Sequence, residues 1–246
     1  MRLFIAEKPS LGRAIAAGLG GGKEKDGAIY LGSDIVTWCF GHILEQCSPE
    51  DYDEKYKRWC IEDLPILPQV WKNKVKPDAK KQYLLIKKLV HDADEIVNAG
   101  DPDREGQLLV DEVLADLGVL KGNKNIQRIL LNALDEKSVR EALGNLRSNQ
   151  DFVGLRSSAL ARSRADWLIG MNLSRIYTIR AREAGYQNIV SVGRVQTPTM
   201  GLVVRREIEI KTFRPITFFT PRILWQHEAG SFLAKWKPRE MDGVDA

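Results

Sequence analysis

Three carboxylates crowd a single turn at Asp101-Pro102-Asp103-Arg104-Glu105-Gly106, between an apolar stretch, Glu95 to Gly100, and a helix-patterned one, Gln107 to Leu117. Acids this close repel one another unless positive charge sits among them. A hard divalent cation such as magnesium suits the turn, because it takes oxygen ligands, keeps several waters and needs few protein carboxylates once a phosphate is present. A strand-to-helix turn built this way points to phosphate chemistry. The same residues admit a plainer reading, in which Asp103 caps the following helix and Glu105 complements its dipole.

A further acid stands near the N-terminus. Arg2 to Ala6 reads as a short buried strand, and Glu7-Lys8-Pro9-Ser10 follows it, with Ser10 placed to cap a helix through Leu11, Ala14, Ile15 and Leu19. In open parallel α/β sheets the ligand crevice lies just outside the carboxyl ends of the strands. Glu7 and the acidic turn are therefore expected to face one another across one cleft. A carboxyl among other acids and a cation can have its protonation tuned for phosphoester acid or base work. The alternative for Glu7 is a surface salt bridge with Lys8 or Arg2.

The periodicities organise the rest. Gly18 to Gly22 and the charged Lys23 to Asp26 read as a flexible loop, and Ala28 to Leu31 with Ile35 to Phe40 as a hairpin joined by Gly32-Ser33-Asp34. Asp51 to Lys76, rich in Tyr, Trp and Pro, reads as a loop packed over the sheet, with base stacking as its alternative. Helices are expected over Ala79 to Ala93, Gln107 to Leu117 and Ser138 to Leu146, and strands over Glu95 to Ala99 and Ile126 to Asn132. Such βα alternation marks a parallel sheet covered by helices.

Charge separates the chain into regions. Leu155 to Pro215 holds eleven basic residues against four acidic ones, while the remainder holds 26 basic and 29 acidic. All but one of the eleven are Arg, whose planar fork matches phosphate oxygens, so the segment reads as a nucleic-acid track rather than an ordinary solvated face. Within it Leu160, Trp167 and Met171 share a helical face, and Arg162 and Asp166 lie one turn apart, able to pair. Thr197-Pro198 gives a helix start with Thr as cap, so Ser191 to Gln196 is the turn leading into it, offering amides, a hydroxyl, Arg194 and Gln196 to a phosphate. The three cysteines lack the spacing of a disulfide framework or zinc site, Cys39 reading as a buried thiol. Glu7, Lys8 and Pro9 interrupt the only N-terminal apolar run, so neither a signal peptide nor a membrane span is read, and the expected location is cytoplasmic, with the nucleoid.

Phe4 to Ser10 and Gly100 to Gly106 closely resemble the glutamate and DxDxE motifs of a Toprim domain. Ser191-Val192-Gly193-Arg194-Val195-Gln196-Thr197-Pro198 resembles the strand-gate motif of type IA DNA topoisomerases, and Ser158 to Arg162 with Arg164 to Asn172 are similar to the preceding helix in the bacterial topoisomerase III branch. The resemblance covers about residues 1 to 215 and, more weakly, the tail to about Lys237. It implies a Rossmann-like α/β Toprim domain with a mostly parallel sheet over 1–151, a mainly helical Arg-rich gate region over 152–215, and the first strands of a β-rich domain over 216–246.

The family's activity would follow. Such isomerases cut one DNA strand with a tyrosine hydroxyl, keep the 5′ phosphate on it, pass another strand and rejoin. Glu7 and Lys8 would be catalytic, Lys8 stabilising charge on the scissile phosphate. Glu7, Asp101, Asp103 and Glu105 would hold Mg2+. Arg162, Arg164, Ser191, Val192, Gly193, Arg194, Val195 and Gln196 would bind single-stranded or underwound DNA. None of Tyr30, Tyr52, Tyr56, Tyr83, Tyr177 and Tyr186 lies in the family's Tyr-Pro-Arg context. The expectation is accordingly a fragment that binds DNA and magnesium, needs the remainder of a topoisomerase chain for activity, and is inactive in strand cleavage alone. Competing readings are a Toprim nuclease using metal-activated water and a non-catalytic single-strand-binding module.

Overall fold

The computed structural model describes residues 1–236. Its first elements are β1 (Arg2–Ala6), α1 (Pro9–Gly18), β2 (Lys23–Lys25), β3 (Ala28–Leu31) and β4 (Asp34–Trp38). There follow β5 (Leu44–Gln46), α2 (Pro49–Tyr52), β6 (Asn73–Val75), α3 (Lys80–Asp92), β7 (Glu95–Ala99) and α4 (Arg104–Asp116). The remainder comprises β8 (Asn125–Arg128), α5 (Glu136–Leu143), β9 (Arg147–Ser148), α6 (Val153–Glu183), α7 (Gln196–Thr212), β10 (Arg222–His227) and β11 (Gly230–Lys235).

Seven strands form one sheet in the order β2-β3-β4-β1-β7-β8-β9. The inner pairs β4–β1, β1–β7 and β7–β8 are parallel, whereas β2, β3 and β9 add antiparallel edges. This is the mostly parallel α/β sheet that the strand and helix alternation implied. β1 lies at its centre because nearly every residue in it is apolar, as a strand covered on both faces requires. Leu3 and Ile5 join Ile86, Leu89, Ile96 and Val113 on the side of α3 and α4. Phe4 and Ala6 join Leu11, Ile15, Val97 and Val139 on the side of α1 and α5. Each fully buried Leu, Ile or Phe contributes roughly 1.5–3 kcal/mol, so the two cores fix the register of the central strands.

Several local expectations change. α1 starts at Pro9 with Lys8 in the cap position, so Ser10 is inside the helix rather than capping it. Proline at the first position has its φ already set and lacks an N–H the helix could not satisfy there. Lys23 to Lys25, read as loop, is the edge strand β2 paired with β3. Asp51 to Lys76 packs on α6 rather than over the sheet. Tyr52 and Trp71 meet the Trp167 ring edgewise at 6.0 and 5.5 Å, and the Asn172 amide binds both backbone groups of Ile66. Sequence periodicity cannot reveal such partners, since the apolar loop finds its cover more than a hundred residues away.

By compactness the chain forms one unit from Met1 to Thr197 and a second from Pro198 onward. In the second, β10 and β11 make an antiparallel hairpin on which Trp225 and Phe232 stack. The hairpin falls within the segment after residue 215, of which residues 237–246 lie outside the described residues. No helix among the described residues is long and apolar enough to cross a membrane.

Candidate functional site

The pairing of β1 with β7 sets Ala6 beside Ala99, so the chain leaves the two strands at the same level as Glu7 and as Gly100-Asp101. The Asp101 amide donates to Glu7 Oε2 at 3.2 Å, and Lys8 Nζ donates to Asp101 Oδ2 at 2.8 Å. Residues 94 positions apart thus meet at the ends of two neighbouring parallel strands. Asp101 and the neighbouring acids hold the Lys8 ammonium above its ordinary value, its hydrogen bond to Asp101 being the main cause. Asp103 caps α4, its Oδ1 accepting from Gly106 N at 2.8 Å. Glu105 extends the other way, to Arg162 Nη1 at 3.0 Å and to Arg104 Nε at 3.6 Å.

Two glycines make this turn possible. A Cβ on Gly100 would lie 2.1 Å from the Gly106 carbonyl oxygen, and one on Gly106 would lie 2.5 Å from Asp101 N and 2.9 Å from Glu7 Oε2. Strand end, acidic turn and helix start touch backbone to backbone, which only glycine permits.

A buried foundation under the turn was not read from the sequence. Arg128, fully buried at the end of β8, donates to the carbonyls of Gly100 at 2.7 Å and Asp101 at 2.6 Å. It also reaches Asn98, whose side chain accepts from Gly100 N and donates to Asp111. Burial lowers the Arg128 pKa to about 10, opposed by the surrounding acids, Asp111 first. Gln107 and Asn149 complete the cage around Asp111. The available signal was polarity out of place: Asn98 in an apolar strand, and Gln107 and Asp111 on the buried stripe of α4.

Among the described residues no three His, Cys, Asp or Glu side chains already stand together as an ion cage. Glu7 and Asp103 accept backbone N–H groups, while Asp101 and Glu105 take Lys8 and Arg162. The donor set nonetheless fits a hard cation: it is all carboxylate, it sits at parallel strand ends, and Asp101 and Glu105 remain 34% and 43% exposed. Exchange of Lys8 or Arg162 for a metal ion leaves each carboxylate with a positive partner.

The Arg-rich segment meets this turn. Arg162 and Asp166 on α6 approach to 3.9 Å, as their spacing suggested, yet each has a closer partner. Arg162 binds Glu105, and Asp166 takes Arg194 Nε at 2.6 Å. With His42, Trp167 and Met171, the residues Glu105, Arg162 and Asp166 line a cleft of about 570 Å³. His42 donates from Nδ1 to Glu112 Oε1 at 2.7 Å, and that hydrogen bond raises the imidazole pKa. Arg164 turns elsewhere, its guanidinium lying 5.2 Å over the Trp71 ring.

Ser191 to Val195 form the extended segment and turn before α7. Ser174 Oγ accepts from Val192 N at 2.9 Å, and Thr178 Oγ1 accepts from Val190 N at 2.9 Å, so α6 pins the segment through two hydroxyls. α7 begins at Gln196, one residue ahead of the expected Thr197 cap. Thr197 Oγ1 instead accepts the Gly193 N–H at 3.0 Å, and Pro198 falls in the first turn where its missing donor is harmless. Arg194 and Gln196 are exposed at this helix start, a natural seat for an anion.

Comparison with known proteins shows the family and the fold. Residues 2–134 match the Toprim domain model and residues 151–244 a DNA topoisomerase model. The chain is 52% identical over 246 residues to DNA topoisomerase 3 of Vibrio cholerae, covering 97% of this chain and 38% of that protein. It is 55% identical over 223 residues to DNA topoisomerase 3 of Pasteurella multocida, covering 89% of this chain and 34% of that protein. It thus spans little more than a third of the relatives it matches. Full-length topoisomerase I of Thermotoga maritima shares the fold, with a TM-score of 0.62 at 23% identity over 99% of this chain and 36% of that one. Toprim domains of topoisomerases are in general metal-dependent.

Proposed function

Since the chain belongs to the type IA DNA topoisomerases, through a Toprim domain and the DNA topoisomerase domain that follows it, we propose that it forms the metal site and single-strand clamp of a topoisomerase III. The observation that carries this is the bond between Asp101 N and Glu7 Oε2, which joins the glutamate motif to the acidic turn. The working location is cytoplasmic, on single-stranded or underwound DNA.

The division of labour follows from the chemistry. Glu7, at the strand end between the acidic turn and Lys8, holds and moves the proton exchanged with the reacting phosphoester oxygen. Lys8 stabilises negative charge growing on that phosphate. Asp101, Asp103 and Glu105, with Glu7 beside them, would hold Mg2+, which when bound supplies positive charge for positioning and resealing the broken ends. Arg162, with Ser191, Val192, Gly193, Arg194, Val195 and Gln196, holds the strand through its phosphates, while Arg164, stacked over Trp71, is left out of the clamp. The tyrosine that carries the 5′ phosphate is not among the six of this sequence, none being followed by Pro-Arg.

The test is incubation of this chain with a labelled single-stranded oligonucleotide and with negatively supercoiled plasmid, with and without Mg2+. Binding of the oligonucleotide without relaxation or nicking is expected. Mg2+-dependent nicking abolished by Asp103→Ala would replace this reading with a metal-dependent nuclease. Relaxation by the chain alone would overturn the assignment of the nucleophile to residues outside it.

A further inference from the structure

A second cleft, of about 600 Å³, opens where the end of α4 meets the first half of α6. Trp71, Leu108 and Leu160 wall it, and Lys121, Arg156 and Arg164 bring positive charge to it. Arg156, Leu160 and Arg164 stand one turn apart on α6 and share a face. At 3.6 residues per turn that face is rotated roughly 160° from Arg162, the α6 arginine of the proposed clamp. A strand held by Arg162 and Arg194 therefore lies on another side of α6.

These three cations have no acid of their own. Two carboxylates also line the cleft, yet Glu112 accepts from His42 and Asp116 accepts the Tyr83 hydroxyl. Among the described residues neither Lys121 nor Arg156 has an ion pair. Arg164 lies 5.2 Å over the Trp71 ring, and its Nε is buried without an acceptor. Buried N–H donors are rarely left so, which marks a place for an incoming acceptor. Guanidinium forks match the paired oxygens of a phosphate. An inorganic anion alone would fill a small part of this volume and leave the leucine walls wet, whereas a fatty ligand would leave the cations unmatched. A phosphate carried on a flat, partly apolar body of nucleotide size meets both demands.

We propose that this cleft binds a nucleotide, its phosphate taken by Lys121, Arg156 and Arg164 and its base lying against Trp71, Leu108 and Leu160. The nucleotide arrives either free or as one unit of a DNA segment other than the one in the clamp. The cleft uses no residue of the Ser191 to Gln196 loop, so it stands or falls apart from the reading of that loop as a strand clamp.

The experiment titrates the full chain with deoxyadenosine 5′-monophosphate by isothermal calorimetry, with deoxyadenosine and inorganic phosphate as controls. The monophosphate should bind more tightly than either control. Arg156→Gln and Arg164→Gln should each weaken it roughly tenfold, through loss of a charge-assisted contact. Lys121→Gln, at an exposed position that leaves folding intact, should weaken it several-fold. A thymidine 8-mer that saturates the clamp should leave the monophosphate bound, and displacement by it would overturn the second site. Displacement by a thymidine 30-mer but not by the 8-mer assigns the cleft to a DNA segment, whereas retention beside the 30-mer assigns it to a free nucleotide. No binding of the monophosphate, or equal affinity in the wild type and all three variants, would overturn the proposal. Failure of the 8-mer to bind would sink the clamp alone, and the monophosphate titration would still decide this cleft.

Discussion

Arg194 grips Asp166 with two nitrogens, Nε at 2.6 Å from Oδ1 and Nη2 at 3.4 Å from Oδ2, so the arginine at the start of α7 is already neutralised by an acid of α6. The same acid lies 3.9 Å from Arg162, which also holds Glu105 of the acidic turn. A line of alternating charges runs from the proposed metal site to the proposed strand clamp. All its members are about 40% exposed, and such pairs contribute roughly 0–1 kcal/mol, so an incoming phosphate displaces them at small cost.

That arrangement fixes the sign of two substitutions. Arg194→Ala should lower the slope of log affinity against log salt for a single strand by about 0.7, the value of one phosphate contact. Asp166→Asn should do the opposite to affinity, tightening binding several-fold by freeing both Arg162 and Arg194. Fluorescence anisotropy titrations at several salt concentrations measure both effects.

Gly106→Ala should loosen the whole turn. Its Cβ would meet Asp101 N and O, both at 2.5 Å, and neither backbone atom can swing aside. The expected cost is about 1–3 kcal/mol, read by urea denaturation, together with weakened Mg2+ binding.

Asp103 serves as helix cap in this structure and as a proposed metal ligand, and two variants separate the roles. Asp103→Asn keeps a capping oxygen, so stability without metal should hold, while the rise in Tm on adding Mg2+ shrinks. Asp103→Ala should also lose about 1 kcal/mol without metal. Thermal melts with and without Mg2+ distinguish them.

His42 gives a pH dependence. Its pKa is raised above 6.5, first by the hydrogen bond to Glu112, with burial opposing. The stabilisation from this pair is fully present below the unfolded histidine value and is lost as pH rises through the higher folded value. Wild-type Tm should therefore fall across that window from near neutral pH upward, and His42→Gln should flatten the curve. A His42 imidazole titrating at or below 6.5 by NMR would contradict this.

What sequence alone determined was everything carried by local pattern. The largely apolar β1, the alternation of strands and helices, the three acids at the start of α4 and the concentration of Arg between Leu155 and Pro215 gave the fold class and pointed to phosphate chemistry. Local composition suffices there because burial on both faces of a strand and charge on a turn each leave a contiguous signature. Only the tertiary structure decided which groups share space. It joined Glu7 to Asp101 through parallel register, slid Arg128 beneath the turn, tied Arg194 to Asp166, and closed the Asp51 to Lys76 loop over Trp167. Those partners are set by how two packed cores orient their strands and helices, and one-dimensional periodicity carries no record of a neighbour that arrives from a distant segment.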